Sequence, residues 1–280
     1  MTNGAAAHDL SGKIALVTGG TQGLGEATAR LFAARGAAGL VICGRSADRG
    51  EAVARDLTGS GCRTLFVPVD LGDETAPAVV VDAVDRAFGR VDVLVNAAAI
   101  TDRGTILDTS PELFNRMFAV NVRAPFFLIQ RCVKIMRREK IPGAVVNVLS
   151  MSSWGGQPFI CAYSGSKGAL AILTKNIAYS LLPDRIRVNG LNIGWMATPG
   201  EDAIQRRYHG GDPGWLAKGS AARPFGRLLQ PEEVARAIAF LASDESGMMT
   251  GSLVDFDQTV NGAYDNPAVR LEPLPDVGGW

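Results

Sequence analysis

Thr18-Gly19-Gly20-Thr21-Gln22-Gly23-Leu24-Gly25 is the stretch whose reading decides the fold of this chain. It follows an apolar run, Ile14–Thr18, that reads as a strand, and it opens a helical pattern through Ala27, Leu31 and Phe32. Glycines at a strand-to-helix turn let the backbone approach a pyrophosphate. The start of the helix supplies unpaired N–H groups and the positive end of a dipole. Gly20 and Gly25 also have the spacing of a P-loop, but that motif continues with Lys-Ser/Thr, and Glu26-Ala27 stands there instead. The turn is therefore read as a dinucleotide-binding one.

Working outward, short apolar runs alternate with helical patterns along the chain. Leu40–Cys43, Thr64–Val69, Val91–Asn96, Ala144–Leu149, Ile186–Leu191 and Ser252–Phe256 read as further strands. Ala78–Phe88 places Val80, Val84, Ala87 and Phe88 on one helical face, and Leu113, Met117, Val120, Ala124 and Phe127 repeat the pattern on a longer helix. Strict alternation with Val/Ile/Leu-rich strands predicts an α/β fold. The expected form is a Rossmann-like three-layer sandwich, a seven-stranded parallel sheet with helices on both faces. No repeat or low-complexity linker interrupts it, so residues 10–262 are expected to form one domain, with tails at 1–9 and 263–280. Residues 197–227, with six glycines and three prolines, read as an irregular insertion of the kind that serves as a substrate lid.

About twenty residues past the turn, such a fold chooses its cofactor by the charge near the adenosine ribose. Gly44 stands near the place of a ribose-binding carboxylate and Arg45 follows it. A guanidinium there suits a 2′-phosphate through charge-assisted hydrogen bonds, so NADP(H) is favoured and NAD(H) remains possible.

The chemistry is carried by Tyr163-Ser164-Gly165-Ser166-Lys167, with Ser150 thirteen residues before the tyrosine. On a helix, Tyr163 and Lys167 share a face about 5–6 Å apart. A free phenol, with a pKa of about 10, is a poor base at neutral pH, and an ammonium beside it favours the phenolate. Ser150 can offer a hydroxyl to the same substrate oxygen. The trio suits moving a proton on or off an alcohol or carbonyl oxygen. Ser164 and Lys167 also fit the Ser-x-x-Lys of acyl-transfer enzymes, but the Ser-Asp-Asn and Lys-Thr-Gly that chemistry requires do not occur.

These motifs together make the chain resemble a short-chain dehydrogenase/reductase of the single-domain kind over residues 10–262. The glycine motif is met by Thr18 to Gly25, the family's Asn-Asn-Ala-Gly appears as Asn96-Ala97-Ala98-Ala99, and Asp70-Leu71 matches the pair flanking the adenine. The resemblance implies that Tyr163 is the general acid/base, that Lys167 lowers its pKa and holds the nicotinamide ribose, and that Ser150 bonds the substrate oxygen. Asn121, mid-helix with a locally opened backbone, would hold a water behind Lys167. The implied cofactor site comprises Gly19, Thr21, Gln22, Gly23, Leu24, Gly25, Arg45, Asp70, Leu71, Asn96, Ala97, Ala98, Tyr163, Lys167, Ile193 and Thr198. Three departures stand out: Ile193-Gly194 in place of Pro-Gly, the loss of the second asparagine at Ala97, and Asp257-Gln258-Thr259 in place of Asp-Gly-Gly.

The function expected is NAD(P)-dependent interconversion of a secondary alcohol and a ketone, with a sugar, polyol or small hydroxy compound favoured. Enoyl reductases of the superfamily use a longer tyrosine–lysine gap than the one here. Ser152, Trp154, Gln157 and Trp195, with Phe159 and Met196, are the candidate substrate residues. One alternative is a 3-oxoacyl-thioester reductase, with Arg103, Arg137 and Arg138 as a basic entrance. Another is a regulatory protein that binds NADP(H) without turnover, although such proteins usually lose the tyrosine or lysine. The resemblance implies a homotetramer, or a dimer, built through Leu113–Arg138, Ala162–Leu182 and the last strand.

Composition excludes other classes. Twenty-eight basic against twenty-eight acidic residues leave no basic footprint for nucleic acid. No stretch approaches the roughly 18 apolar residues of a membrane helix, and Met1 to Leu10 lacks the pattern of a signal peptide. Cys43, Cys62, Cys132 and Cys161 are scattered, with no Cys-x-x-Cys and only His8 and His209 to join them. They are expected to be reduced, buried thiols in a cytoplasmic protein, with no metal site.

Overall fold

The computed structural model describes residues 9–261. The expected tails at 1–9 and 263–280 lie, apart from residue 9, outside the described residues.

Seven strands form one parallel sheet: β1 (Ile14–Thr18), β2 (Gly39–Gly44), β3 (Arg63–Pro68), β4 (Val93–Asn96), β5 (Ala144–Ser150), β6 (Arg187–Ile193) and β7 (Leu253–Phe256), in the order β3-β2-β1-β4-β5-β6-β7. The strands fall where the apolar runs place them, within two residues at each end. β4 begins at Val93, not Val91, because the buried Asp92 carboxylate accepts the Ile14 N–H at 2.9 Å and a charge-assisted bond from Arg90.

Period-two alternation divides the sheet between two helical layers. Ala15 and Val17 of β1 face α1 (Gly23–Ala34), α2 (Ala47–Gly59) and, further along the sheet, α9 (Pro231–Ala242). Leu16 faces the other way, into a core with α3 (Ala76–Phe88), α5 (Ala124–Arg138) and the end of α6 (Cys161–Ser180). All-round burial of β1, β4 and β5 follows from this double cover.

Two expectations are corrected. The long helix predicted through Leu113–Phe127 is broken into α4 (Pro111–Phe118), a π-turn at Ala119–Arg123, and α5. The wider π-turn shifts the phase of the apolar stripe. Met117, Val120 and Ala124 are buried as expected, but Phe127 swings to the surface and Leu128 and Ile129 take the core. The stretch 197–227 is not irregular, since it holds α7 (Pro199–Tyr208) and α8 (Trp215–Ala221). Thr198 caps α7 by accepting the Glu201 N–H at 3.0 Å, and Pro199 starts it, so the local signals favoured a helix that its glycines obscured.

Candidate active site

Chain order reverses between β1 and β4, and a parallel sheet leaves a crevice at such a point beyond the carboxyl ends of its strands. A cleft of about 1360 Å³ lies there. Its floor is the glycine turn. A Cβ on Gly25 would lie 2.3 Å from the Gly19 carbonyl oxygen, so only glycine lets the helix start this close to the strand end. Gly19 adopts φ +69° and rests against the Ala98 backbone, where a Cβ would come within 3.0 Å.

The Thr18 hydroxyl accepts the N–H groups of Ala97 and Ala98, both at 3.0 Å, and so ties the loop after β4 to the turn. Sequence reasoning left Thr18 out of the site. Its signal was its place as first residue of the motif, where a strand's last side chain reaches its neighbour's loop. The backbone cradle, the glycine contacts and the size of the cleft all fit a dinucleotide.

Thr21, Gln22, Gly23, Leu24, Arg45, Asp70, Leu71, Ala97, Ala98, Ile193 and Thr198 all line this cleft. Asp70 is clamped by Arg116 Nη2 at 2.7 and 2.6 Å and by the Gly72 N–H at 2.9 Å. Burial opposes its ionisation, but Arg116, Gly72 and the field of Arg45 outweigh that and hold the carboxyl below its usual range. Asn96 is placed elsewhere. It is buried beneath the cleft and donates to Asn147 Oδ1 at 2.8 Å, and Asn147 Nδ2 donates to Thr174 Oγ1 at 2.9 Å. It therefore joins the sheet to α6 from behind the wall.

Ser150 ends β5, and Tyr163 and Lys167 stand one turn apart on α6, so two elements bring the trio into the cleft. Ser150 Oγ accepts the Ser152 N–H at 3.1 Å and is also hydrogen-bonded to the tyrosine. Lys167 is buried, donates to the Val148 carbonyl at 2.7 Å, and lies 5.8 Å from the Tyr163 ring centroid. Asn121 sits in the π-turn, fully buried behind the site. Its side chain makes a two-way bond with the Ile100 backbone, 3.0 Å each way, and donates to Ser166 Oγ at 3.1 Å. Ser166 donates to the Tyr163 carbonyl at 2.7 Å, so Asn121 is coupled to the helix that carries Tyr163 and Lys167.

Burial pushes the Tyr163 phenol above its ordinary value, with Ser150 and Arg103 pulling it down and Glu201 pushing it up. Burial also pushes Lys167 down to about 8. The protonated phenol is thus the resting form at neutral pH, and the lysine keeps its charge below about pH 8 and loses it above. The rate of ketone reduction is expected to hold below that point and to fall above it, since both proton donor and supporting cation belong to the low-pH form. A profile of initial rates against pH that stays flat well past 9 would contradict this, because a depressed lysine loses its charge there.

The candidate substrate residues Ser152, Trp154, Gln157 and Trp195 line the cleft, with Phe159 and Met196. The structure adds Arg103, Glu201, Gln205 and His209. The three arginines proposed as a thioester entrance are not brought together. Arg137 bonds Asp184, and Arg138 bonds Asp85 at 2.6 and 2.8 Å and the Gly89 carbonyl, away from the cleft. The expectation of four buried cysteines also fails at Cys161, which is exposed at the start of α6, while Cys43, Cys62 and Cys132 are buried.

A parallel sheet with a glycine turn at its topological switch, and with Ser, Tyr and Lys at the same crevice, defines a dinucleotide-dependent oxidoreductase fold. Comparison narrows it. Residues 19–261 match a family model described as enoyl-(acyl carrier protein) reductase. The chain is 33% identical to an NADP-dependent (R)-specific alcohol dehydrogenase of Lentilactobacillus kefiri, over 91% of this chain and 97% of that protein. It is similar in structure to L-sorbose reductase from Gluconobacter frateurii, solved with NADPH and L-sorbose, with a TM-score of 0.85 and 30% identity, over 92% of this chain and 100% of that one. A short-chain type dehydrogenase/reductase from Mycobacterium marinum matches with a TM-score of 0.81 and 30% identity, over 90% and 96%. The chain belongs to the short-chain dehydrogenase/reductase family.

Proposed function

We propose that this protein interconverts a secondary alcohol and a ketone with NADP(H), and that Tyr163 transfers the hydroxyl proton. The observation that carries the reading is the convergence of Ser150, Tyr163 and Lys167 on the cleft that the glycine turn opens. The turn, Asp70 and Arg45 would hold the dinucleotide, which would supply or accept the hydride when bound.

In the reductive direction Ser150 Oγ and Tyr163 Oη both donate to the carbonyl oxygen, and Tyr163 gives up its proton as the alkoxide forms. The Lys167 ammonium stabilises the phenolate left behind, and Asn121 fixes the backbone of the helix that carries both. Replacement of the proton requires a route from solvent, and Lys167, which lines the cleft, would relay it. The helices of residues 197–227 act as the lid over the substrate, with the Thr198 cap as their hinge.

The alcohol dehydrogenase and sorbose reductase relatives support CH–OH chemistry and NADP(H). The three-residue gap between Tyr163 and Lys167 supports it over C=C reduction. Of the three arginines named for a thioester entrance, Arg137 and Arg138 stand away from the cleft and Arg103 lines it, which lends that reading less support. The test is to titrate NADPH and NADH by fluorescence and to assay turnover on ketones, sugars, polyols and acetoacetyl thioesters. Turnover of a ketone or alcohol with NADP(H) is the expected result; binding without any turnover would refute the catalytic reading.

The protein is placed in the cytoplasm, a reading supported by four unbridged cysteines. No helix among the described residues is long and apolar enough to cross a membrane. Self-association to a homotetramer is supported by exposed Phe127 on α5 and by Ile172 and Tyr179 on α6. Light scattering is expected to give four times the chain mass, and a monomer mass at every concentration would overturn it.

A further inference from the structure

The substrate end of the cleft carries an ion pair that the transfer of a proton and a hydride does not use. Arg103, in the segment after β4, meets Glu201 of α7 at 3.3 Å, and both side chains are largely buried, 14% and 13% exposed. The pair is held from all sides. Glu201 Oε1 also accepts the Trp195 indole N–H at 2.9 Å and the Gln205 amide at 2.7 Å. Arg103 donates to the Thr101 carbonyl at 3.1 Å and to His209 at 3.3 Å, and lies over the Phe159 ring at 5.5 Å. Its position is fixed before any substrate arrives.

Three features say what this pair recognises. First, it shares the cleft with the reacting centre, because Arg103, Glu201 and Tyr163 all line it. Second, its bonding is incomplete. All three donors converge on Glu201 Oε1, and Oε2 takes no hydrogen bond from the described residues, while Arg103 has five N–H groups and uses three. Third, it is neutral as a unit and sets a strong acceptor beside a strong donor. A carboxylate or an ammonium would gain from one partner what it loses to the other, so the pair gives a net charge no advantage. A hydroxyl donates and accepts at once, so vicinal hydroxyls match the pair without displacing either partner. Trp195, fixed by its bond to Glu201, lines the same cleft and adds apolar surface there.

We propose that Arg103 and Glu201 form a specificity clamp for the hydroxyl groups flanking the reacting carbon, so that the substrate class is a neutral polyhydroxy ketone or its polyol. This rests on the alcohol/ketone reading and narrows it. Without the clamp's hydroxyl partners, a plain ketone leaves the unused Arg103 and Glu201 groups facing a carbon chain, and a site built for hydroxyls discriminates against an analogue lacking them.

The experiment compares L-sorbose with 2-hexanone, both six-carbon 2-ketones, under NADPH. It uses the wild-type chain and the variants Arg103→Ala and Glu201→Gln. In Arg103→Ala the glutamate keeps two donors, Trp195 and Gln205, so the fold should survive. NADPH titration of each variant checks this, and Glu201→Gln, which keeps the shape, stands in if the first fails to fold. The quantity read is the ratio of kcat/KM for sorbose to that for hexanone. Wild type is expected to favour sorbose, and each variant is expected to lower the ratio about 10-fold or more, as lost hydrogen bonds to charged groups do.

A wild-type ratio at or below unity with brisk hexanone turnover would overturn the clamp and leave the alcohol/ketone reading standing. So would a variant that lowers both substrates equally. Turnover of neither ketone, with NADPH bound, would defeat the clamp for this substrate class, and failure across the whole alcohol and ketone panel would defeat the reading beneath it.

Discussion

Tyr163→Phe is expected to lower kcat for ketone reduction at least about 10²-fold, the usual worth of a positioned general acid. The substitution removes one oxygen and keeps the ring on the same face of α6. The ring's neighbours change little, so NADPH affinity should stay close to that of the parent. The size of the effect follows from what remains. Ser150 can still donate to the carbonyl oxygen, but its hydroxyl cannot hand over a proton as readily as a phenol, and water must serve instead. Burial raises the phenol's pKa and the Ser150 hydrogen bond draws it back, so the group sits ready to donate at neutral pH. The measurement is single-turnover reduction at saturating NADPH, paired with NADPH titration. A variant with turnover near that of the parent would remove Tyr163 from the proton's path. Loss of NADPH binding would instead show that the phenol is a cofactor contact before it is an acid.

Most of the sheet was legible because parallel strands buried on both faces leave continuous apolar runs, and β1 is marked further by the turn after it. The meeting of Ser150, Tyr163 and Lys167 in one cleft was legible because its parts are local: a strand end, and two residues one helical turn apart. What was not legible depends on contacts between distant segments. The π-turn at Ala119–Arg123 has no compositional mark. It shows only as a change of phase, with Phe127 at the surface and Leu128 in the core.

Asn96 reads as a cofactor residue because its motif touches the cofactor loop, yet its amide is spent on Asn147 across the β4–β5 boundary. Arg103 was noticed for its charge alone. That its partner is Glu201, 98 residues on, follows from α7 folding over the cleft, and α7 was itself hidden by the glycines and prolines around it. Such residues hide because a side chain's role is set by what the fold lays beside it.

We propose that the cofactor preference rests on Arg45, and Arg45→Ala is expected to cut kcat/KM with NADPH about 10- to 100-fold, the range for losing hydrogen bonds to a charged group. The same change should leave NADH nearly untouched, so the ratio of the two cofactors reports the arginine and not the fold. Arg45 is exposed at the end of β2 and enters no ion pair among the described residues, so its removal costs the folded chain little. The field it exerts on Asp70 places its charge at the adenine end of the cleft. Gly44, pressed against Thr21, has no side chain to reach a ribose hydroxyl, which leaves the 2′-position to the guanidinium.

Arg49, four residues on, lines the same end of the cleft and is likewise free of ion pairs among the described residues. If both share the phosphate, Arg45→Ala keeps part of the preference and the double variant R45A/R49A abolishes it. A parent enzyme that differs by about two-fold or less between NADPH and NADH would show that the guanidinium is a solvated surface group, because a charge-assisted contact to phosphate gives more than that.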